Sequence, residues 1–245
     1  MRASRLDGVL VLAGFLLVWQ GLYMLVGGDV VPSPSSAIVR AAALLRSANF
    51  WKDAASTGQA FVLACAIGIA GGACIGFVLG SSRFATEVAD PILGTIYSIP
   101  KITLYPIILL VFGLTLSAKV AFGVIHGIFP VIIATMAALR NVSPVHRRTA
   151  RALRLSWGAT IATVLAPAAL PEVFTGIRIG VAVTLLGTLL AELFASSSGV
   201  GFALIRAMEI HNVVDIFALV LLIFLFAAAI NGLLHILERK LRRHA

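Results

Sequence analysis

Few side chains in this 245-residue chain are placed to do chemistry, and most of those lie in apolar surroundings. Lys101 stands near the middle of an apolar run, in SIPKITLYPIILLVFG. A lone cation at such depth is costly, and it marks a solute path or a structural pair. Two roles are open to Lys101: lining a polar path where it meets an anionic substrate, or pairing with a carbonyl or with Glu192. Glu192 falls near the outer end of another run, in AELFASSSGVG. It either holds the following loop by a hydrogen bond or touches the solute. The third concentration is RNVSPVHRRTARALRLSWGATIATVLAPAALP at 140–171, with Arg140, Arg147, Arg148, Arg151 and Arg154 and no acid.

Catalytic constellations are missing. There is no GxxxxGK[ST] phosphate loop, so the chain is not expected to bind ATP itself. HExxH, CxxC and GxSxG are absent too. The five histidines, His126, His146, His211, His235 and His244, lack ligand spacing, so no metal site is read. His126 reads as a satisfied interior residue. No carboxylates pair within the apolar runs, which argues against an enzyme. A proton-driven carrier would rest on Glu192 alone.

The elements that position these residues are membrane helices. The chain is 60% apolar and 12% charged, against about 45–50% and about 25% in a soluble domain. A helix needs about 20 apolar residues to cross a bilayer, and six such spans are expected. They are Gly8 to Val26, Gln59 to Gly80, Ile92 to Leu114, Val120 to Leu139, Val173 to Ala195, and Val214 to Leu237. The first is too long for a signal-peptide core and is read as an uncleaved span. The +9 charge sits between spans and argues for a membrane rather than nucleic acid. With the N-terminus inside, twelve loop Lys and Arg residues face the cytoplasm and five, including Lys119, face out. That asymmetry predicts both termini and the basic segment in the cytoplasm of an inner-membrane protein. Cys65 and Cys74 fall on opposite faces of one helix, so no disulfide joins them.

Local features refine the picture. After Pro32 and Pro34, residues 36–47 are either a short interfacial helix or a simple connector. Gly68, Gly72, Gly76 and Gly80 recur every four residues and form a small-residue stripe suited to close helix packing. Pro100 and Pro106 should kink the third span, and Gly127 and Pro130 should interrupt the fourth. Residues 145–158 are expected to form one amphipathic helix. Ala150, Leu153 and Trp157 would share one face and Arg147, Arg151 and Arg154 another, with Gly158 ending it. Pro167 and Pro171 would bracket the start of the fifth span. Such a basic helix lies on anionic headgroups, binds a regulatory lipid, or docks into a cytoplasmic partner.

The segment resembles the cytoplasmic coupling loop of bacterial ABC importer permeases, the binding-protein-dependent inner-membrane component family. That loop runs Glu-Ala-Ala, three residues, Gly, nine residues, Ile-x-Leu-Pro. With Pro167 at the final proline, Arg148-Thr149-Ala150 take the first three positions, Arg154 the glycine, Val164 the isoleucine and Ala166 the leucine. Arginines thus replace the acid and the glycine. VPSPSSA at 31–37, GFVLGSS at 76–82, SIPKITLYPIILLVFG at 98–113 and LAPAALPEVFTGIRIG at 165–180 resemble the nitrate, sulfonate and taurine branch, as does AELFASSSGVG at 191–201. The resemblance spans nearly the whole chain.

The resemblance implies an all-α integral membrane protein with six transmembrane helices, a type-1 ABC importer transmembrane domain. Residues 1–53 would be the first helix and a periplasmic linker, 54–238 the core permease with its coupling loop at 141–160, and 239–245 a basic tail. It further implies a homodimer, a cytoplasmic ATPase subunit that holds the ATP, and an extracytoplasmic solute-binding protein. Arg147, Arg148, Ala150, Arg151, Leu153, Arg154, Trp157 and Gly158 are the expected ATPase contacts. The path would run between the third, fourth and fifth spans, with Lys101 and Glu192 beside it. The solute would be small, such as nitrate, a sulfonate or taurine. The alternative is a secondary carrier or channel without an ATPase.

Overall fold

A computed structural model describes residues 5–194 and 196–242. Among them the elements are all helical: α1 (Arg5–Val26), α2 (Pro34–Leu44), α3 (Ala48–Gly80), α4 (Arg83–Ser98), α5 (Tyr105–Phe112), α6 (Leu116–Asn141), α7 (Pro144–Ala152), α8 (Trp157–Thr160), α9 (Ala166–Phe194), α10 (Val200–Glu209) and α11 (Val213–Arg242). A 3-10 turn, Lys101–Leu104, joins α4 to α5, and a π turn, Ile161–Leu165, joins α8 to α9. The chain divides into two units, Met1–Ser56 with Ser198–Phe226, and Thr57–Ser197 with Ala227–Ala245. This division is discontinuous in sequence.

The six expected spans resolve unevenly. Four helices are long and apolar enough to cross a membrane: Ala48–Gly80, Leu116–Asn141, Trp157–Phe194 and Val213–Lys240. The expected third span is a pair of helices, Arg83–Ser98 and Lys101–Phe112, bent by 80° at their junction. The first apolar helix is shorter, Leu10–Val26. The expected interruption of the fourth span is corrected, and so is the expected start of the fifth. Pro130 lies inside α6, which continues through it. Pro171 lies inside α9, and with α8 and the π turn this helix runs unbroken from Trp157 to Phe194. A proline removes one backbone bond, and neighbouring helices re-satisfy the freed groups at membrane depth.

In the first unit, Pro34 occupies the first turn of α2 and Ser33 caps it, accepting from the Ser36 amide at 3.2 Å. The 36–47 stretch is therefore largely helical. Trp19 Nε1 donates to Pro32 O at 3.0 Å, tying α1 to the start of α2. Arg40 on α2 pairs with Asp215 on α11. Asp53 accepts the Gly199 amide at 2.8 Å, fixing the turn before α10, where Gly199 has φ 114° and only glycine is at ease. Leu44, Phe50, Val200, Ala207 and Leu219 form this unit's apolar core.

The second unit is organised about α6. The glycine stripe of α3 lies along it: a Cβ on Gly72 would sit 2.9 Å from Ile128 O, and one on Gly76 2.6 Å from Ile132 O. A Cβ on Gly80 would reach Met136 Cα at 3.0 Å. Rising numbers on both helices make α3 and α6 parallel. On its other side α6 meets α9 through Gly123, Gly127, Gly176 and Gly180, with Gly127 O 2.9 Å from a Cβ on Gly180. Here the numbers run oppositely, so α6 and α9 are antiparallel. α11 follows α9 antiparallel, with Ala227, Ile230 and Leu234 against Phe61, Val181 and Leu185.

The bent pair runs down α6 in the opposite sense. Leu93 packs with Ile132 and Met136; Tyr105 and Ile108 pack with Phe122 and Ala118. Because α3 and α6 are parallel, α4 and α5 together must return the chain across the full thickness. The bent pair therefore counts as one crossing, and its break falls opposite the middle of α6.

The glycine contacts predict a stability contrast. Gly76→Ala forces a methyl against backbone and should cost about 1–3 kcal/mol, as overpacking does. Gly58, where a Cβ meets nothing within 4 Å, should accept alanine with no loss. Thermal unfolding of the two detergent-solubilised variants checks this.

Candidate functional site: two charge centres and a basic turn

The first centre is the buried carboxylate. Glu192, in the last turn of α9, is 0% exposed. Thr57 Oγ1 on α3 donates to its two oxygens at 2.8 and 3.0 Å, and Lys119 Nζ on α6 lies 3.3 Å from Oε1. Tyr105 Oη donates to Ala191 O at 2.6 Å, drawing α5 to the same point. Four helices thus meet at one polar knot. This corrects the reading of Lys119 as an outer-loop charge: it is buried in the first turn of α6. Glu192 is bound across helices, to α3 and α6. Thr57 and Lys119 were missed because both lie at expected span edges, 135 and 73 residues from their partner.

A similar arrangement serves Arg178 on α9. Its Nη1 lies 3.3 Å from Glu238 Oε2 on α11, and Thr175 Oγ1 donates to Glu238 Oε1 at 2.9 Å.

Lys101 is treated differently. It opens the 3-10 turn at the break, half-buried. Its Nζ donates to Tyr97 O at 2.9 Å and lies 4.2 Å from the Tyr97 ring centroid and 5.7 Å from that of Phe129. The Tyr97 and Phe129 rings are 6.3 Å apart. Of the two structural partners expected for Lys101, the carbonyl is present and Glu192 is engaged elsewhere. Among the described residues no carboxylate pairs with Lys101. Nearby on α6, His126 Nδ1 lies 2.9 Å from Phe122 O and so donates to it.

The basic segment is not the single helix expected over 145–158. α7 ends at Ala152, and the chain turns with Arg154 at φ 50°. The Leu155 amide bonds Ala150 O at 3.1 Å and the Arg154 amide bonds Arg151 O at 3.0 Å. This is a Schellman closure, whose left-handed residue is usually glycine. Ser156 then caps α8, accepting from the Ala159 amide at 3.3 Å. Gly158 therefore lies in the first turn of α8 and ends nothing. The expected faces change as well. Ala150 is 3% exposed, whereas Leu153 and Trp157 are 66% and 61% exposed at the turn. Arg148, Arg151 and Arg154 are exposed beside them; the side chain of Arg147 lies outside the described residues. Below the turn, Gly80, Leu139, Ala150, Leu155 and Leu165 line a hollow of about 500 Å³. Asn141 Nδ2 donates to Glu172 Oε1 at 2.9 Å, tying the end of α6 to α9 beneath it.

Residues 68–243 match the family of binding-protein-dependent transport system inner membrane components. The chain belongs to this family. It is 29% identical to a Bacillus subtilis permease assigned to aliphatic sulfonate transport, over 98% of this chain and 88% of the relative. It is 30% identical to the bicarbonate transport system permease of Synechococcus elongatus, over 90% and 84%. It is also 30% identical to the nitrate import permease of a Synechocystis species, over 78% and 72%. Among solved structures, the MetNI methionine ABC transporter in its inward-facing form superposes with a TM-score of 0.65 at 17% identity, covering 84% of this chain and 96% of that one. An amino acid ABC transporter gives 0.62 at 21%, covering 83% and 97%. The fold is that of ABC importer permeases. The chain is a multi-pass inner-membrane permease subunit and not an enzyme. As a component of a binding-protein-dependent system, it works with a solute-binding protein and an ATPase.

Arg154 holds a left-handed backbone, which costs a non-glycine residue about 1–2 kcal/mol. Arg154→Gly should therefore raise stability or leave it unchanged, by up to about 1 kcal/mol; melting of the purified variant reads this. At the buried knot the sign reverses. Glu192→Ala strands the Lys119 ammonium and should cost about 3–5 kcal/mol. The double variant Lys119→Met with Glu192→Leu should recover much of that loss in the same measurement.

Proposed function

We propose that two copies of this permease subunit form the path by which a small oxyanion enters the cell, driven by ATP held on a cytoplasmic ATPase. The turn at Leu153 and Trp157 carries this reading. Two large apolar side chains stand exposed on a basic segment that is tied beneath to α6 and α9. Exposed aromatic and aliphatic anchors ringed by arginines suit a protein groove with an acidic rim. The segment 141–160 acts as the coupling loop, with Arg147, Arg148, Arg151 and Arg154 at the rim and Gly158 beside Trp157. Moving a two-state path from 1:99 to 99:1 requires about 5.5 kcal/mol of differential binding, within reach of a few buried anchors and charge pairs.

The orientation follows the same logic. The parallel course of α3 and α6 puts Arg83, Arg140 and the turn at one end of the second unit, together with the last turns of α11. Basic loops face the cytoplasm, and the excess of loop Lys and Arg on that side supports the reading that both termini lie inside. The solute class rests on chemistry shared by the relatives. Sulfonate, bicarbonate and nitrate are all small oxyanions.

Co-purification in detergent with the partner ATPase tests the coupling. The wild-type chain should retain the ATPase, and a Leu153→Asp, Trp157→Asp variant should lose it while still inserting. Equal retention by both would place the contact elsewhere. Retention by neither would favour an ATPase-independent carrier.

A further inference from the structure

Two cations held inside the membrane-crossing helices of the second unit are neutralised: Lys119 by Glu192 and Arg178 by Glu238. Lys101 has no carboxylate among the described residues, although it stands opposite the middle of α6, where an ion is most costly. Its compensation is of another kind. The Tyr97 carbonyl takes one N–H, and the Tyr97 ring takes the charge face-on at 4.2 Å. A carbonyl and a π face stabilise an ammonium without cancelling its charge. An ammonium has three donors, so two remain.

The surroundings say where those donors look. Ser98, Ile99, Pro100, Ile102 and Thr103 at the break are exposed. Irregular backbone at membrane depth does not face lipid; it lines water or is covered by protein. Prolines 100 and 106 keep the chain from closing into a continuous helix there. The break therefore faces water or protein rather than lipid, and Lys101 is the fixed cation bordering it. His126, on the α6 face nearby, has its Nδ1 engaged by Phe122 O.

We propose that Lys101, with the Tyr97 and Phe129 rings as its walls, is an anion-binding station at the midpoint of the path, where the solute's oxyanion replaces the missing carboxylate. This rests on the oxyanion-import reading above and gives it a site. The station is suited to transit. Passage requires binding firm enough to enter and weak enough to leave, and an ammonium already half-satisfied by a carbonyl and a ring holds a monoanion loosely. A built-in carboxylate would close the site, and an unshielded cation would trap the solute.

The test uses the full transporter, permease with ATPase and binding protein, in liposomes, with nitrate, bicarbonate and ethanesulfonate as probes. Initial ATP-driven uptake is compared with ATP hydrolysis stimulated by the binding protein. Lys101→Gln should cut uptake about tenfold, corresponding to about 1.4 kcal/mol, while stimulated hydrolysis persists. Lys101→Arg should keep most of the uptake. If Lys101→Gln does not assemble, Lys101→Met, apolar and of similar length, takes its place. Unchanged uptake in the uncharged variant, or equal loss in Lys101→Arg, overturns the station. A wild type that hydrolyses ATP on binding-protein stimulation yet imports none of the three anions overturns the station and leaves the importer standing. Uptake that proceeds without ATP overturns the importer reading instead.

Discussion

The second unit depends on how closely α6 can approach α3 and α9. Lipid gives no hydrophobic drive to join helices, so contact must come from backbone proximity and dispersion. Gly72 and Gly76 bring α3 to the carbonyls of Ile128 and Ile132, and Gly180 brings α9 to the carbonyl of Gly127. That approach sets the register of the unit. It aligns Thr57, Lys119 and Glu192 at one end and Asn141 with Glu172 at the other. It also decides which α6 side chains the bent pair meets.

Within that frame, charge is used in two ways. The Glu192 knot is closed: one hydroxyl, its proton shared between both oxygens, and an ammonium satisfy a carboxylate with no solvent exposure. Such a pair is a poor source of net stability but severe when broken, so it fixes relative helix position. Lys101 is open, held by a carbonyl and a ring beside irregular backbone. The same physics, desolvated charge in an apolar medium, gives a rivet in one place and a site in the other. The difference is whether the protein supplies the counter-ion.

Much of this was legible in the residues. Apolar run lengths located four crossing helices and the bent pair, while the first run proved shorter, and the four-residue glycine spacing marked the face of α3 that meets α6. The broken third span was legible from Pro100 beside Lys101. Other features were not. Pro130 suggested an interruption and Pro171 the start of a helix, but the sequence does not reveal which prolines have neighbours able to absorb a lost bond. Lys119 looked like a loop charge because span edges are blurred by a few residues and its carboxylate lies far away in sequence. The Schellman turn was hidden because an arginine, not a glycine, holds the left-handed position. Only tertiary context makes that conformation tolerable at Arg154.

The unbroken helix from Trp157 to Phe194 has a mechanical consequence. Its 38 residues span about 57 Å at about 1.5 Å per residue. Trp157 is at one end and the Glu192 rivet near the other. A rod of that length, tilted about 10° around its middle, carries each tip through about 5 Å, roughly one helical turn. The π turn at Ile161–Leu165 lies near the Trp157 end, where an extra residue per turn changes the rod's phase. Trp157 and Glu192 therefore stand toward opposite ends of one lever, and the ion pair at Glu192 is where a tilt of that size is resisted.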